Sequence, residues 1–144
     1  MAERTARQIP GHVLSAFQLD GRSGLPVGPE WDNGVRFGRV VVSEASDTAA
    51  WSGKARDHAG EFGTGIAVSR PVRATDGRLV VGGFKASEFV EGRVLARIDE
   101  AVSAALHYDE AMAGVEPPAA DRGDAFATAE RAVWRDYTPQ PDDV

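Results

Sequence analysis

Between residues 25 and 43, three short runs rich in β-branched and aromatic residues (25–27, 35–37 and 39–43) are separated only by stretches carrying Gly, Pro and Asn. Parallel neighbours need a crossover of about a dozen residues or more, so strands joined this closely pair antiparallel. Asn33-Gly34 and Gly38 are the expected turns. A second hairpin is predicted from 66–73 and 79–90 around Thr75-Asp76-Gly77, whose glycine suits positive φ. Within it, Val80, Val81 and Phe84 supply a buried strand, and Gly82-Gly83 predicts a bulge or the close approach of another backbone.

Helical periodicity fills the gaps between the strands. Pro10 suits the first turn of a short helix through His12, Val13, Leu14 and Phe17, ending at Asp20-Gly21. Asp47 is the expected N-cap of a second helix, with Trp51, Ala55 and His58 on one side and Gly53 weakening it. A long helix over 94–113 places Leu95, Ile98, Val102, Ala105 and Met112 on one side and is expected to bury them in the core. Beyond Gly114 and the Pro117-Pro118 pair, a last helix carries Phe126, Ala129, Val133 and Trp134. The expected fold is therefore α+β: a mostly antiparallel five-stranded sheet with packed helices rather than a doubly wound parallel sheet. The domain reading is a flexible tail at 1–9, one domain at 10–116, a linker and terminal helix at 117–137, and a disordered tail at 138–144.

Composition narrows the function classes. At 144 residues and 42% hydrophobic content the chain can bury one ordinary core. A net charge of −6 repels phosphate backbones, which argues against a nucleic-acid partner. The absence of cysteine removes disulfides, thiolate zinc sites and cysteine nucleophiles together. Residues 1–10 contain no apolar signal-like core, and no stretch approaches the roughly 18 apolar residues of a membrane span, so a cytoplasmic protein without membrane association is expected.

No complete catalytic constellation is visible. Ser43, Ser46, Ser52 and Ser103 lack the Gly-x-Ser-x-Gly elbow. His107 with Glu110, three apart on a helix, supplies only two metal ligands, and His58 near Glu61 is equally incomplete. Asp47, Asp57 and Glu61 read better as capping and solvating groups than as paired carboxylates for glycoside chemistry. The 28–34 loop offers two glycines, but Pro29 removes a donor and Glu30 and Asp32 add negative charge, so a plain hairpin turn is the better reading than a phosphate cradle.

Taken together, the loop 28–34, the third strand Arg39-Val-Val-Val-Ser43, the helix after it and the strand ending in Phe89-Val-Glu-Gly92 resemble the small lobe of aminoglycoside phosphotransferases, a branch of the protein-kinase-like fold. Ala105-Leu-His107 resembles the Leu-His end of the first large-lobe helix in that group. More narrowly, His12, Trp31-Asp32, Val40-Val41-Val42-Ser43, Trp51-Ser52, Arg70-Pro-Val-Arg-Ala-Thr-Asp-Gly77 and Phe89-Val-Glu-Gly92 are similar to an uncharacterised actinobacterial family carrying this lobe, over roughly residues 10–116.

The resemblance implies a kinase-like small-lobe topology and two functional expectations. In active relatives a third-strand lysine holds the nucleotide phosphates, whereas this chain reads Val41-Val42-Ser43-Glu44, and its only lysines are Lys54 and Lys85. Phosphoryl transfer depends on metal and positioned charge, so the first expectation is a non-catalytic interaction or regulatory domain without cofactor, meeting a protein partner or a second copy through Phe126, Val133 and Trp134. The second is a degenerate nucleotide-binding protein, or the N-terminal part of a phosphotransferase, that takes ATP with magnesium. Its contacts would be Gly28, Asn33, Gly34, Phe89 and Glu91, with Glu61 standing where the family's helix glutamate falls.

Overall fold

The computed structural model describes residues 3–29, 32–59, 62, 65–93, 95–116 and 129. The chain enters along the sheet, where Ile9 is buried in the core and Arg7 pairs with Glu44 at 2.6 Å. Pro10 then caps α1 (Gly11–Ala16), which buries Val13 completely. This helix stops earlier than Asp20-Gly21. Gln18 adopts φ 58°, and the Leu19 and Gln18 N–H groups donate back to the Leu14 and Ser15 carbonyls at 2.8 and 3.1 Å. That 6→1 and 5→2 pair is the Schellman ending, with glutamine where glycine is usual.

Six strands follow: β1 (Leu25–Val27), β2 (Gly34–Phe37), β3 (Val40–Glu44), β4 (Pro71–Val72), β5 (Val80–Val81) and β6 (Phe84–Glu88). They form one antiparallel sheet in the order β1-β2-β3-β6-β4, with β5 also on β6. The α+β class is as expected, and the described residues form six strands rather than five. The difference arises at Gly82-Gly83, which is no bulge: both residues take positive φ (55° and 82°) and turn the chain between Val81 and Phe84 as a two-residue hairpin. A single strand over 79–90 thus becomes two. The Thr75-Asp76-Gly77 turn is present, closed by the Gly77 N–H to the Ala74 carbonyl at 2.8 Å, yet the strand before it pairs with β6 rather than β5. Two of the three edge strands contain proline, Pro26 in β1 and Pro71 in β4, while β5 lies on the same side of β6 as β4.

Side chains directly opposite on paired strands share a sheet face. One face carries Val35, Phe37, Val42, Phe84 and Ala86, and it is sealed by Ile9, Val13, Phe17 and Leu19 from α1 and its flanks. This is the hydrophobic core. The opposite face carries Arg36, Val41, Ser43, Lys85, Ser87 and Pro71, and α2 (Ala49–His58) lies over its β4/β6 end. Gly53, the weak point of that helix on propensity grounds, is buried where Leu79 approaches: a Cβ there would sit 2.9 Å from Leu79 Cδ1.

The last described element, α3 (Ile98–Met112), overturns one expectation. It begins later than residue 94, and it does not bury its large apolar side. Ile98 is 79% exposed, Val102 55% and Leu106 65%, while the buried residue is Ala111, with Ala104, His107 and Met112 half-buried. Periodicity fixes that an apolar side exists, not which side the domain covers. Here Ala104, His107 and Ala111 face inward, and Ile98, Val102 and Leu106 face outward. The helix is tied to the body by stacking of Tyr108 on Phe62 at 5.6 Å and by the Trp51 indole N–H donating to the Glu116 carbonyl at 2.9 Å.

Candidate functional site

The polar sheet face is where the chain concentrates chemistry. On β2, Arg36 sits cross-strand from Val41 and lays its guanidinium over the Phe89 ring, 3.7 Å from the centroid, while its Nε–H donates to the Gly38 carbonyl at 2.7 Å. Phe89 is held at the end of β6 by its N–H donating to the Arg39 carbonyl at 2.8 Å. The aromatic ring thus has a cation on it, an interaction worth about 0.5–2 kcal/mol depending on desolvation. Glu91 lies just beyond it, exposed.

At the other end of the same face stand the loop residues. Gly28 (φ 75°) closes β1 and Asn33 (φ 50°) opens β2; both are exposed. Gly34 is buried, and a Cβ there would come within 3.1 Å of the Val27 carbonyl oxygen, so glycine permits the β1/β2 pairing to be this close. Asn33 and Gly34 border a cavity of about 170 Å³ with Arg4, Thr5, Arg7 and Pro26. The fold therefore splits the nucleotide-contact expectation into two groups: Gly28, Asn33 and Gly34 at one end of β2, Phe89 and Glu91 beyond the other. Glu61, Trp31, Phe126, Val133 and Trp134 lie outside the described residues.

Sequence reading missed a relationship between β3 and β6. Ser43, the buried polar residue in the third-strand stretch that lacks a lysine, is in direct register with Lys85. A lysine absent from one strand is present on its neighbour, on the same face. Beside it are Ser87, two residues along β6, and Ser52 and Arg56 on α2. The alternation Phe84-Lys85-Ala86-Ser87 carried the signal, since period two assigns Lys85 and Ser87 to the face away from the core.

A cavity of about 370 Å³ lies between α2 and the end of α3, against Trp51, Lys54, Ala55, His58 and 113–116. His58 Nδ1 is 2.7 Å from the Lys54 carbonyl, the ordinary i−4 contact of a helical histidine. Among the described residues no group of three or more His, Cys, Asp or Glu side chains converges to hold a metal, and no helix is long and apolar enough to cross a membrane. No protein-family model, curated protein or solved structure matches the chain.

Proposed function

We propose that the chain is a non-catalytic interaction domain on a kinase-like small lobe, and that two copies pair through α3 and the segment that follows it. The observation that carries this is the reversed packing of α3: Ile98, Val102 and Leu106 form a straight i, i+4, i+8 row pointing away from the domain, with Leu95 57% exposed just before it. Exposed apolar patches of this kind mark contact surfaces. A row on one helix matches its own copy about a two-fold axis, with ridges of each helix entering grooves of the other. A stable pair buries about 800 Å² per partner, more than four side chains supply. Phe126, Val133 and Trp134, placed by sequence on a helix soon after α3, would provide the remainder.

Support for the lobe itself comes from element order: a hairpin of β1 and β2, then β3, α2, and a β6 that runs directly into Phe89-Val-Glu-Gly92. Light scattering over a wide concentration range tests the pairing. The expected result is a dimer in the native chain and a folded monomer in Ile98→Asp/Val102→Asp, whereas a native chain that stays monomeric throughout would remove the proposal.

A second reading, a degenerate nucleotide-binding protein, is favoured by the Ser43/Lys85 register, which returns a cation to the face where the resemblance implies phosphates. Thermal unfolding with ATP and magnesium separates the two readings, because a ligand bound selectively by the folded state raises the midpoint by mass action.

A further inference from the structure

Arg56 stands in the last turn of α2 with an unusual surrounding. One terminal nitrogen donates to the Ser69 carbonyl at 3.5 Å, a long contact, while the Nε–H is buried and meets no acceptor among the described residues. Buried donors are nearly always paired, with protein, with water or with a bound ion. Next to it is a cavity of about 40 Å³ whose polar wall is Ser52, one turn back on α2, together with Lys85 and Ser87 from the facing strand. The rest of the wall is apolar, from Ala49, Gly53, Leu79 and neighbouring residues.

The composition of that wall decides what fits. It holds two cations and two hydroxyls and no carboxylate, in a chain with 22 acidic against 16 basic residues. Arg56 and Lys85 are both half-buried, both border this cavity, and neither forms an ion pair among the described residues. Like charges so placed favour an anion, and guanidinium, ammonium and hydroxyl groups together match an oxyanion's acceptors. The cavity, about 40 Å³, has room for one small charged group and none for a base or sugar.

We propose that Ser52, Arg56, Lys85 and Ser87 form an anion site that takes one phosphoryl or carboxylate group, the remainder of the ligand lying outside the cavity. The site is independent of pairing through α3. Thermal unfolding and titration calorimetry of the full chain with sodium phosphate, sodium acetate and sodium chloride at equal ionic strength test it. Phosphate or acetate, whichever is the matching group, is expected to raise the midpoint above chloride, and Lys85→Gln, which keeps the stem and removes the charge, is expected to weaken that anion about tenfold or more with the circular dichroism unchanged. Ser87→Ala is expected to weaken it less. Midpoints identical in the three salts, equal affinity in Lys85→Gln, or crystals from saturating phosphate with only a water on Arg56 Nε would each overturn the proposal.

Discussion

Leu79 occupies the space that a side chain on residue 53 would need, its Cδ1 lying 2.9 Å from where a Cβ would stand on Gly53. Alanine in place of an interior helical glycine ordinarily gains about 1 kcal/mol. Here overpacking against a buried leucine, about 1–3 kcal/mol, opposes that gain. Gly53→Ala is therefore expected to lower stability in urea, and Gly53→Ala/Leu79→Ala to lose less than the two single changes summed. A stabilised Gly53→Ala would show that Leu79 moves aside freely.

Gln18 closes α1 in the left-handed region at φ 58°. A non-glycine residue there carries a penalty of roughly 1–2 kcal/mol, partly offset in glycine by its greater freedom when unfolded. Gln18→Gly should raise the urea midpoint by the equivalent of about 0.5–1 kcal/mol, and Gln18→Val should lower it.

The turn at Gly82-Gly83 favours Asn-Gly on local chemistry alone. His12 reverses that preference, since a Cβ on Gly82 would lie 2.7 Å from its Nε2. Gly82→Asn is expected to destabilise by about 1 kcal/mol and His12→Ala to relieve most of the loss, a coupling that a double-mutant cycle measures directly.

Asp76 accepts hydrogen bonds from the Arg78 backbone N–H at 3.1 Å and from its guanidinium at 2.7 Å, and these hold its carboxyl below the ordinary value of 3.8. A folded pKa below the unfolded one contributes stability that is present above 3.8 and is lost as pH falls through the folded pKa. Asp76→Asn should therefore unfold slightly earlier than the native chain at neutral pH, and the gap should close under acid. Urea midpoints of both proteins across that range check the sign.

Burial predicts a sharp contrast between two valines. Val13 is fully buried and Val102 is 55% exposed. Val13→Ala should cost roughly 2 kcal/mol, while Val102→Ala should change monomer stability by less than about 0.5 kcal/mol and act on association instead.

The first three strand positions were readable because β-branched runs and turn residues act locally: β1 matches its predicted span, and β2 and β3 differ by a single residue at their ends, whereas the predicted 66–73 run is strand only at Pro71–Val72. Partner choice was not readable. Val72 pairs with Ala86 and Ser43 with Lys85, and nothing within either stretch encodes the other. Likewise the apolar side of α3 was visible in its spacing, but the inward turn of Ala104 and Ala111 depends on what surrounds the helix. The candidate anion site was invisible for the same reason: Arg56 and Lys85 border one cavity only because α2 lies on that end of the sheet.

Pro26 sits in β1 on one rim and Pro71 in β4 on the other, where β4 shares the outer side of β6 with β5, and each lacks the amide proton that an added strand would need. Neither rim can template a continuous ladder, so fibrous growth is disfavoured at both margins. The proposed pairing through α3 differs in kind, since two copies meeting about a two-fold axis use up each other's contact surface.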